Sequence, residues 1–334
     1  MKNQASREPV RCALVGLGRI GSILEEDPLR EKPATHAGAI QAHPDCKLVA
    51  GCDRDGDRCA AFAVRWKVAA IYRDLRTMLG ESQPDLLHIA TPPEHHLEAV
   101  RCAVAQRVPV VVCEKPLAPT RAEAMKLVSL ARRGGVRVMV NHERRFCVDW
   151  RHVRSVIQEK PLGDLESIRA TLYMGEHRRA GEMLLDDGTH LIDALRFITG
   201  GEFKRIRAWG DARKRGGTLW AAFTLAGIPG VLEVGGGRDH FVFEAELSFA
   251  RGRVRVGNGV FEQWESRPSP HYRGARSLAL REDLKFPVTG YFANMVSAAV
   301  GLVRDPKAPI ESKATDGLAA VSIIEKILGA IQKT

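Results

Sequence analysis

Two short stretches carry residues of the type and spacing that proton chemistry requires. In VPVVVCEKPLAPT, the apolar run from Val108 to Cys113 passes without a turn into Glu114, Lys115 and Pro116. In GEMLLDDGTHLIDALRFITG, residues 181–200, Asp186, His190 and Asp193 stand at i, i+4 and i+7, which stacks three side chains on one face if the segment is helical. An ammonium at a strand end can stabilise negative charge developing on an oxygen, and a histidine can take a hydroxyl proton near neutral pH. Each stretch also has a plain structural reading. Glu114 and Lys115 could be a surface ion pair of little energetic weight, and Asp186 or Asp187 a helix cap beside a satisfied, partly buried His190.

What decides between these readings is the framework that would hold the residues. VRCALV, residues 10–15, reads as a strand that ends at Gly16, Gly18 and Gly21, the spacing GxGxxG. That pattern predicts a strand turning into a helix whose N-terminal N–H groups face a pyrophosphate. KLVAGCD then reads as a second strand, with Asp53 at its end placed to accept from an adenosine ribose, the alternative being a turn residue. Asp53 lies 32 residues beyond Gly21, more than the usual spacing of about 20. The surplus falls in EEDPLREKPATHAGA, where Pro28 and Pro33 interrupt the helical pattern until Thr35. An extra loop from Glu25 to Ala37 is therefore expected at the mouth of the cofactor crevice, with His36 in reach of ligand.

DLLHIATPP is a further apolar strand, EHHLEAVRCAVAQR a helix, and VPVVVC the next strand. Thr120 and Glu123 form a capping box for AEAMKLVSLARR, which ends at Gly134 and Gly135 before the strand VRVMVN. Strand and helix alternate to about residue 140, which predicts a doubly wound parallel sheet with ligands at the C-terminal strand ends. Lys115 then sits where a nicotinamide would lie, with Pro116 fixing the backbone and a cis peptide bond as one way to aim the ammonium. Beyond Asn141 the pattern changes to one helix near Trp150 to Glu159, a series of alternating strands, and two final helices, Tyr291 to Val303 and Thr315 to Gln332. The expected division is a Rossmann domain over 1–140 and a substrate-binding and oligomerisation domain over 141–334.

Composition narrows the function classes. A chain of 334 residues with 45% hydrophobic content can build a substantial core in each of two domains. Its start, MKNQASREPV, lacks a signal-peptide pattern, and no apolar run reaches the length of a membrane span, so a cytoplasmic protein without a membrane partner is expected. Seven cysteines, odd in number and never spaced CxxC, signal neither a disulfide framework nor a metal site. The net charge of +10 raises the question of an anionic partner. With 6% aromatic residues and no helix-turn-helix, zinc-finger or RNA-stacking pattern, nucleic acid is not expected. The basic clusters at Arg137 to Arg154 and Lys204 to Arg215 are either solvated faces or a preference for an anionic substrate.

The chain resembles the Gfo/Idh/MocA oxidoreductase family over nearly its whole length. The matching segments are GLGRIG, GCDRD, ATPPEHH, CEKPLAPT, ERRF at Glu143 to Phe146, LLDDGTHLID and ATDGLAAVSIIEKI, and EKP together with D-x-x-x-H is the most specific combination. The resemblance implies a Rossmann domain and a second α/β domain with a large, open, mostly antiparallel sheet that often forms an oligomer interface, hence a homodimer or homotetramer. It implies a nicotinamide cofactor, NAD with NADP as the alternative, used on a sugar or polyol. Lys115, Asp186 and His190 match the family's catalytic lysine, aspartate and histidine. Cofactor contacts are implied at Gly16, Gly18, Arg19, Ile20, Asp53, Arg54, Thr91, Pro92, His96, Glu114 and Lys115.

For the substrate, Asn141, His142, Arg144, Arg145, Tyr173, His177 and Arg178 are candidate lining residues, each with a solvent-exposed alternative. Asp53 favours NAD, because a carboxylate accepts from a ribose 2′-hydroxyl and repels a 2′-phosphate, although Arg54 beside it could pair with that phosphate. Oxidation of a secondary alcohol needs a base at the hydroxyl, and either His190 or Lys115 could take the proton. Asp186 would steady the imidazolium or bind a neighbouring hydroxyl. Two rivals share this framework: a non-catalytic dinucleotide sensor, and an NAD-dependent glycosidase or lyase that oxidises only transiently.

Overall fold

A computed structural model of the protein describes residues 8–175 and 177–331. Residues 1–7, which open the polar start, and Gln332, the expected end of the last helix, lie outside that range. The chain forms two compact units, Met1–Phe146 with Gly290–Ala319, and Cys147–Thr289 with Ala320–Thr334. Among the described residues no helix is long and apolar enough to cross a membrane.

In the first unit, β1 (Val10–Val15), β2 (Cys46–Cys52), β3 (Ile71–Tyr72), β4 (Leu86–Ile89), β5 (Val110–Cys113) and β6 (Arg137–Val140) form a parallel sheet in the order β3-β2-β1-β4-β5-β6. Helices α1 (His36–Ala42), α2 (Gly56–Trp66), α3 (Leu75–Ser82), α4 (His96–Ala105) and α5 (Arg121–Gly134) connect its strands. Asp55, Asp74 and Thr120 cap α2, α3 and α5 with their side chains, and Gly135 ends α5 in the left-handed conformation (φ 68°). Every residue of β4 and β5 is buried, as a sheet covered on both faces demands. One face, with Ala13, Leu87, Ile89, Val111 and Cys113, packs under α3, α4 and α5. The other, with Leu14, Leu86, Val110 and Val112, packs under α1, α2 and the late helix Tyr291–Arg304, which supplies Phe292, Met295 and Val296. A single cut after residue 140 therefore does not describe the chain. Without the returning segment, apolar side chains of β4 and β5 would face water.

In the second unit, α6 (Val148–Glu159) leads into β7 (Leu165–Met174), α7 (Ala180–Asp186) and α8 (Gly188–Thr199). Strands β8 (Phe203–Gly210), β9 (Thr218–Leu225), β10 (Ile228–Gly235), β11 (Phe241–Phe249), β12 (Gly252–Gly257), β13 (Val260–Pro268) and β14 (Arg276–Leu280) follow. The eight strands order as β14-β13-β12-β11-β7-β10-β9-β8, antiparallel throughout except for the β7–β10 pair. Burial alternates strictly along β9 and, from Val242 onward, along β11, which marks one covered and one open face. Helices cover the first: Trp150 of α6 meets Phe243 edge-on, and Gly188 of α8 comes close to Leu172. The fold is thus the expected α/β pair of a Rossmann sheet and a large, mostly antiparallel sheet.

Candidate active site

The C-terminal ends of β1, β2 and β4 border a cavity of about 880 Å³ whose lining includes Gly16, Gly18, Arg19, Ile20, Asp53, Arg54, Thr91 and Pro92. Strand order reverses between β1 and β4, and a doubly wound sheet binds ligand at such a point. Gly16 has φ 88°, and a Cβ there would lie 2.5 Å from the Ala90 carbonyl carbon, so the turn lies directly against the end of β4. A Cβ on Gly18 would meet nothing nearer than the Arg58 guanidinium at 3.5 Å, so its absence leaves that space to the cavity. The amides of Gly18, Arg19 and Ile20 donate to no other described group, and the buried Thr91 Oγ1 has no partner there either. Donor-rich, roomy and glycine-lined, the cavity fits a dinucleotide.

No helix follows the glycine turn directly, contrary to the pattern read from GxGxxG. The chain makes a short 3₁₀ turn at Ile23–Glu26, and α1 begins only at His36. The first two N–H groups of α1 are spent on the turn, His36 N donating to Ile20 O (3.1 Å) and Ala37 N to Gly21 O (3.0 Å). The donors available to an anion are therefore the turn's own amides. The inserted loop is also corrected: none of residues 25–37 lines the cavity. The loop is held by its own side chains. Glu25 accepts from Ala34 N (3.0 Å) and Thr35 Oγ1 (2.6 Å), and Lys32 Nζ donates to the carbonyls of Glu25 and Asp27, both at 2.6 Å. His36 is fully buried rather than within reach of a ligand.

Asp53 braces the turn, its Oδ2 accepting from Leu17 N (2.8 Å) and its Oδ1 from Asp55 N (3.0 Å). Arg58 lies 3.8 Å from the same carboxylate, and Arg54, Arg58, Arg73 and Arg76 all line the cavity. The last three escaped the sequence reading, since only the fold gathers positions 58, 73 and 76 around the end of β2.

Lys115 stands two residues beyond the end of β5 and is partly exposed, and its bond to Pro116 is cis. Glu114 beneath it is buried. It accepts from Asn141 Nδ2 (2.6 Å), from His36 Nε2 (2.9 Å) and from the Lys115 backbone N–H (3.2 Å). Burial pushes the Glu114 carboxyl up, but the hydrogen bonds from His36 and Asn141 and the charge of the Lys115 ammonium outweigh it and hold the carboxyl below its ordinary value. His36 Nδ1 lies 2.9 Å from His88 Nδ1 on β4, and burial holds His88 well below the usual histidine range. This cluster was not foreseen. Its one sequence signal is a histidine inside the apolar run DLLHIA, since a polar side chain in a buried strand requires a partner.

Three of the predicted contact residues are held by other protein groups. His96 is buried between the Thr91 carbonyl (2.8 Å from Nε2) and the Leu117 carbonyl (3.2 Å from Nδ1), so it ties the turns after β4 and β5 together and does not line the cavity. His142 is buried with its Nδ1 3.3 Å from Ser312 Oγ. Arg145, 7% exposed, pairs with Asp316 (3.2 Å) and donates to Glu311 O (2.7 Å). These last two join the turn after β6 to the segment 311–316 that returns to the first unit. Arg144 pairs with Glu143 at 3.2 Å.

In the second unit the predicted single helix is broken at Asp187. Gly188 packs closely there, since a Cβ would lie 2.8 Å from Leu184 Cδ1. Asp186, exposed at the end of α7, pairs with Arg178 (3.0 Å), which also reaches Asp187 (3.4 Å). His190 is buried in α8, and Asp193, fully buried, stands 3.8 Å from Arg196. The structure thus brings the candidate Arg178 to Asp186. Tyr173 is placed otherwise: Leu172 turns toward α8, so its neighbour Tyr173 lies on the opposite face, where the Arg238 guanidinium covers its ring at 4.4 Å. Period-two alternation along β7 makes this unavoidable. No group of three or more His, Cys, Asp or Glu that could hold a metal is found among the described residues.

The profile of the Gfo/Idh/MocA oxidoreductase family, NAD-binding Rossmann fold, matches residues 10–142, and that of the Gfo/Idh/MocA C-terminal domain matches residues 150–252. The chain is 25% identical over 211 residues to D-glucoside 3-dehydrogenase of Escherichia coli K12, covering 60% of this chain and 57% of that protein. It is 26% identical over 302 residues to dTDP-3,4-didehydro-2,6-dideoxy-alpha-D-glucose 3-reductase of Streptomyces antibioticus, covering 87% and 90%. The matched region thus spans just over half the length of several curated relatives, 57% of the first. A dehydrogenase from Chromobacterium violaceum shares the fold, with a TM-score of 0.81 and 20% identity over 98% of this chain and 96% of that one.

Proposed function

Because the chain belongs to the Gfo/Idh/MocA oxidoreductase family, with an NAD-binding Rossmann fold, we propose that it moves a hydride between a nicotinamide dinucleotide and a secondary alcohol of a sugar or polyol. The observation that carries this reading is Lys115, held at the C-terminal end of β5 by a buried, ionised Glu114. Two relatives named for oxidation or reduction at a sugar 3-position support the substrate class. The dinucleotide, when bound, accepts or returns the hydride. The amides of Arg19 and Ile20 receive its pyrophosphate, and Asp53 its ribose. His190 takes the hydroxyl proton, and Lys115 stabilises the charge on the same oxygen. Asp186 with Arg178 orients a neighbouring hydroxyl. A cytoplasmic homodimer or homotetramer fits seven free thiols and a second sheet with one open face. The test is a titration with NAD(H) and NADP(H), followed by a screen of sugars, inositols, sugar acids and nucleotide sugars at the nicotinamide absorbance band. Product without net reduced cofactor would indicate transient oxidation, and no turnover of any member would defeat the dehydrogenase reading.

NAD is the preferred form in this proposal, because the Asp53 carboxylate repels a 2′-phosphate. Five arginines, Arg19, Arg54, Arg58, Arg73 and Arg76, line the same cavity, and one of them, Arg58, lies 3.8 Å from that carboxylate. Asp53→Asn keeps an acceptor for one backbone N–H and removes the charge. It should shift the NADPH-to-NADH affinity ratio about tenfold or more toward NADPH, the equivalent of one charge-assisted hydrogen bond. Fluorescence titration with both cofactors reads it, and an unchanged ratio removes Asp53 as the selector.

A further inference from the structure

Glu114 is a carboxylate with almost no solvent contact, and it takes no direct part in the proposed proton or hydride transfer. Its surroundings come from five elements: His36 from α1, His88 from β4, Cys113 from its own strand, Asn141 after β6, and His96 from α4, whose own titration feels the Glu114 charge. All five are buried, whereas Lys115, the next residue along the chain, is partly exposed. The hydrogen bonds define the protonation pattern. Glu114 Oε1 accepts from Asn141 and His36 and Oε2 from the Lys115 amide, so the carboxylate has three donors and His36 must carry a proton on Nε2. Between His36 Nδ1 and His88 Nδ1, at 2.9 Å, one nitrogen must donate. If His88 donates, its buried Nε2, which has no partner among the described residues, is a bare lone pair; if His36 donates, that Nε2 becomes a buried orphan N–H. Orphan N–H groups are the rarer and costlier of the two, so His88 donates and His36 is neutral. The cluster then carries one net negative charge next to Lys115.

We propose that Glu114 is a buried anion that sets the protonation of Lys115, and that His36, braced by His88, keeps Glu114 ionised. His36 and Glu114 are thereby positioning residues. His36 also donates its backbone N–H to Ile20 of the glycine turn, so one residue joins the cofactor turn to the lysine strand. The inference rests on the proposed role of Lys115 for its meaning but not for its measurement.

Competitive amine labelling of the full chain over a pH series, with acetic anhydride as reagent and peptide mass spectrometry as readout, gives the titration midpoint of Lys115 without substrate or dinucleotide. In Glu114→Gln, loss of the anion should lower that midpoint by about one to two pH units and raise labelling on the rising limb by about tenfold or more. His36→Leu removes the donor, so Glu114 takes up a proton and the midpoint should fall similarly. His36→Gln, which can still donate, should stay near wild type. In the Glu114→Gln background, His36→Leu should add no further shift. An unchanged midpoint in Glu114→Gln overturns the proposal, and that near-isosteric variant decides the matter even if His36→Leu fails to fold. An equal His36→Leu shift in both backgrounds overturns the part assigned to His36. Failure of the catalytic reading shows itself differently, as wild-type kcat in Lys115→Met with the labelling shifts intact.

Discussion

His190→Ala should lower kcat by about 100-fold to 10,000-fold while leaving dinucleotide affinity nearly unchanged, since that is the usual contribution of a positioned general base. Lys115→Met should fall in the same range if its ammonium supports the developing alkoxide. Because both groups serve one oxygen in the proposed mechanism, the double variant should be far less impaired than the product of the single effects. Asp186→Asn should be milder, since its carboxylate is half exposed and the amide oxygen can still accept from Arg178. A purely structural His190 makes a different forecast. It is buried in α8, so alanine there would lower the melting temperature and reduce activity only through lost folded protein. A folded His190→Ala protein that turns over at the wild-type rate would sink the mechanism.

The second large effect separates two glycines of one turn. Gly16→Ala forces a side chain onto φ 88° and places its Cβ 2.5 to 2.7 Å from backbone atoms of Ala90 and Thr91, which cannot swing aside. Backbone strain of about 1–3 kcal/mol and overpacking of a similar size should add, for a loss of about 2–6 kcal/mol. The melting temperature should drop by several degrees or more, and dinucleotide binding with it. Gly18→Ala meets only the end of the flexible Arg58 side chain at 3.5 Å, so stability should hold while the methyl group intrudes on the cavity and weakens binding. Thermal melts and cofactor titrations of both variants make the comparison. Wild-type affinity in Gly18→Ala would mean that the dinucleotide does not approach the turn.

By itself the sequence determined whatever rests on neighbours along the chain. Apolar runs of four to six residues became β1, β4 and β5, and the spacing of Thr120, Glu123 and Gly135 set both ends of α5, because strand burial and helix capping are local in their causes. The position of Lys115 at a strand end was legible for the same reason. The tertiary structure alone decided what depends on residues far apart. His36 and Glu114, 78 positions apart, meet only because α1 docks its first turn over the end of β5. The helix Tyr291–Arg304 returns to the first unit because a parallel sheet needs cover on both faces, a demand no window of sequence around residue 140 displays. The break at Asp187 and the closeness of Gly188 to Leu172 arise from packing on β7, so the stack of Asp186, His190 and Asp193 that helical spacing predicts is interrupted. Local patterns specify elements. Which charged groups are buried together, and so which carry shifted protonation, is set by the contacts those elements make.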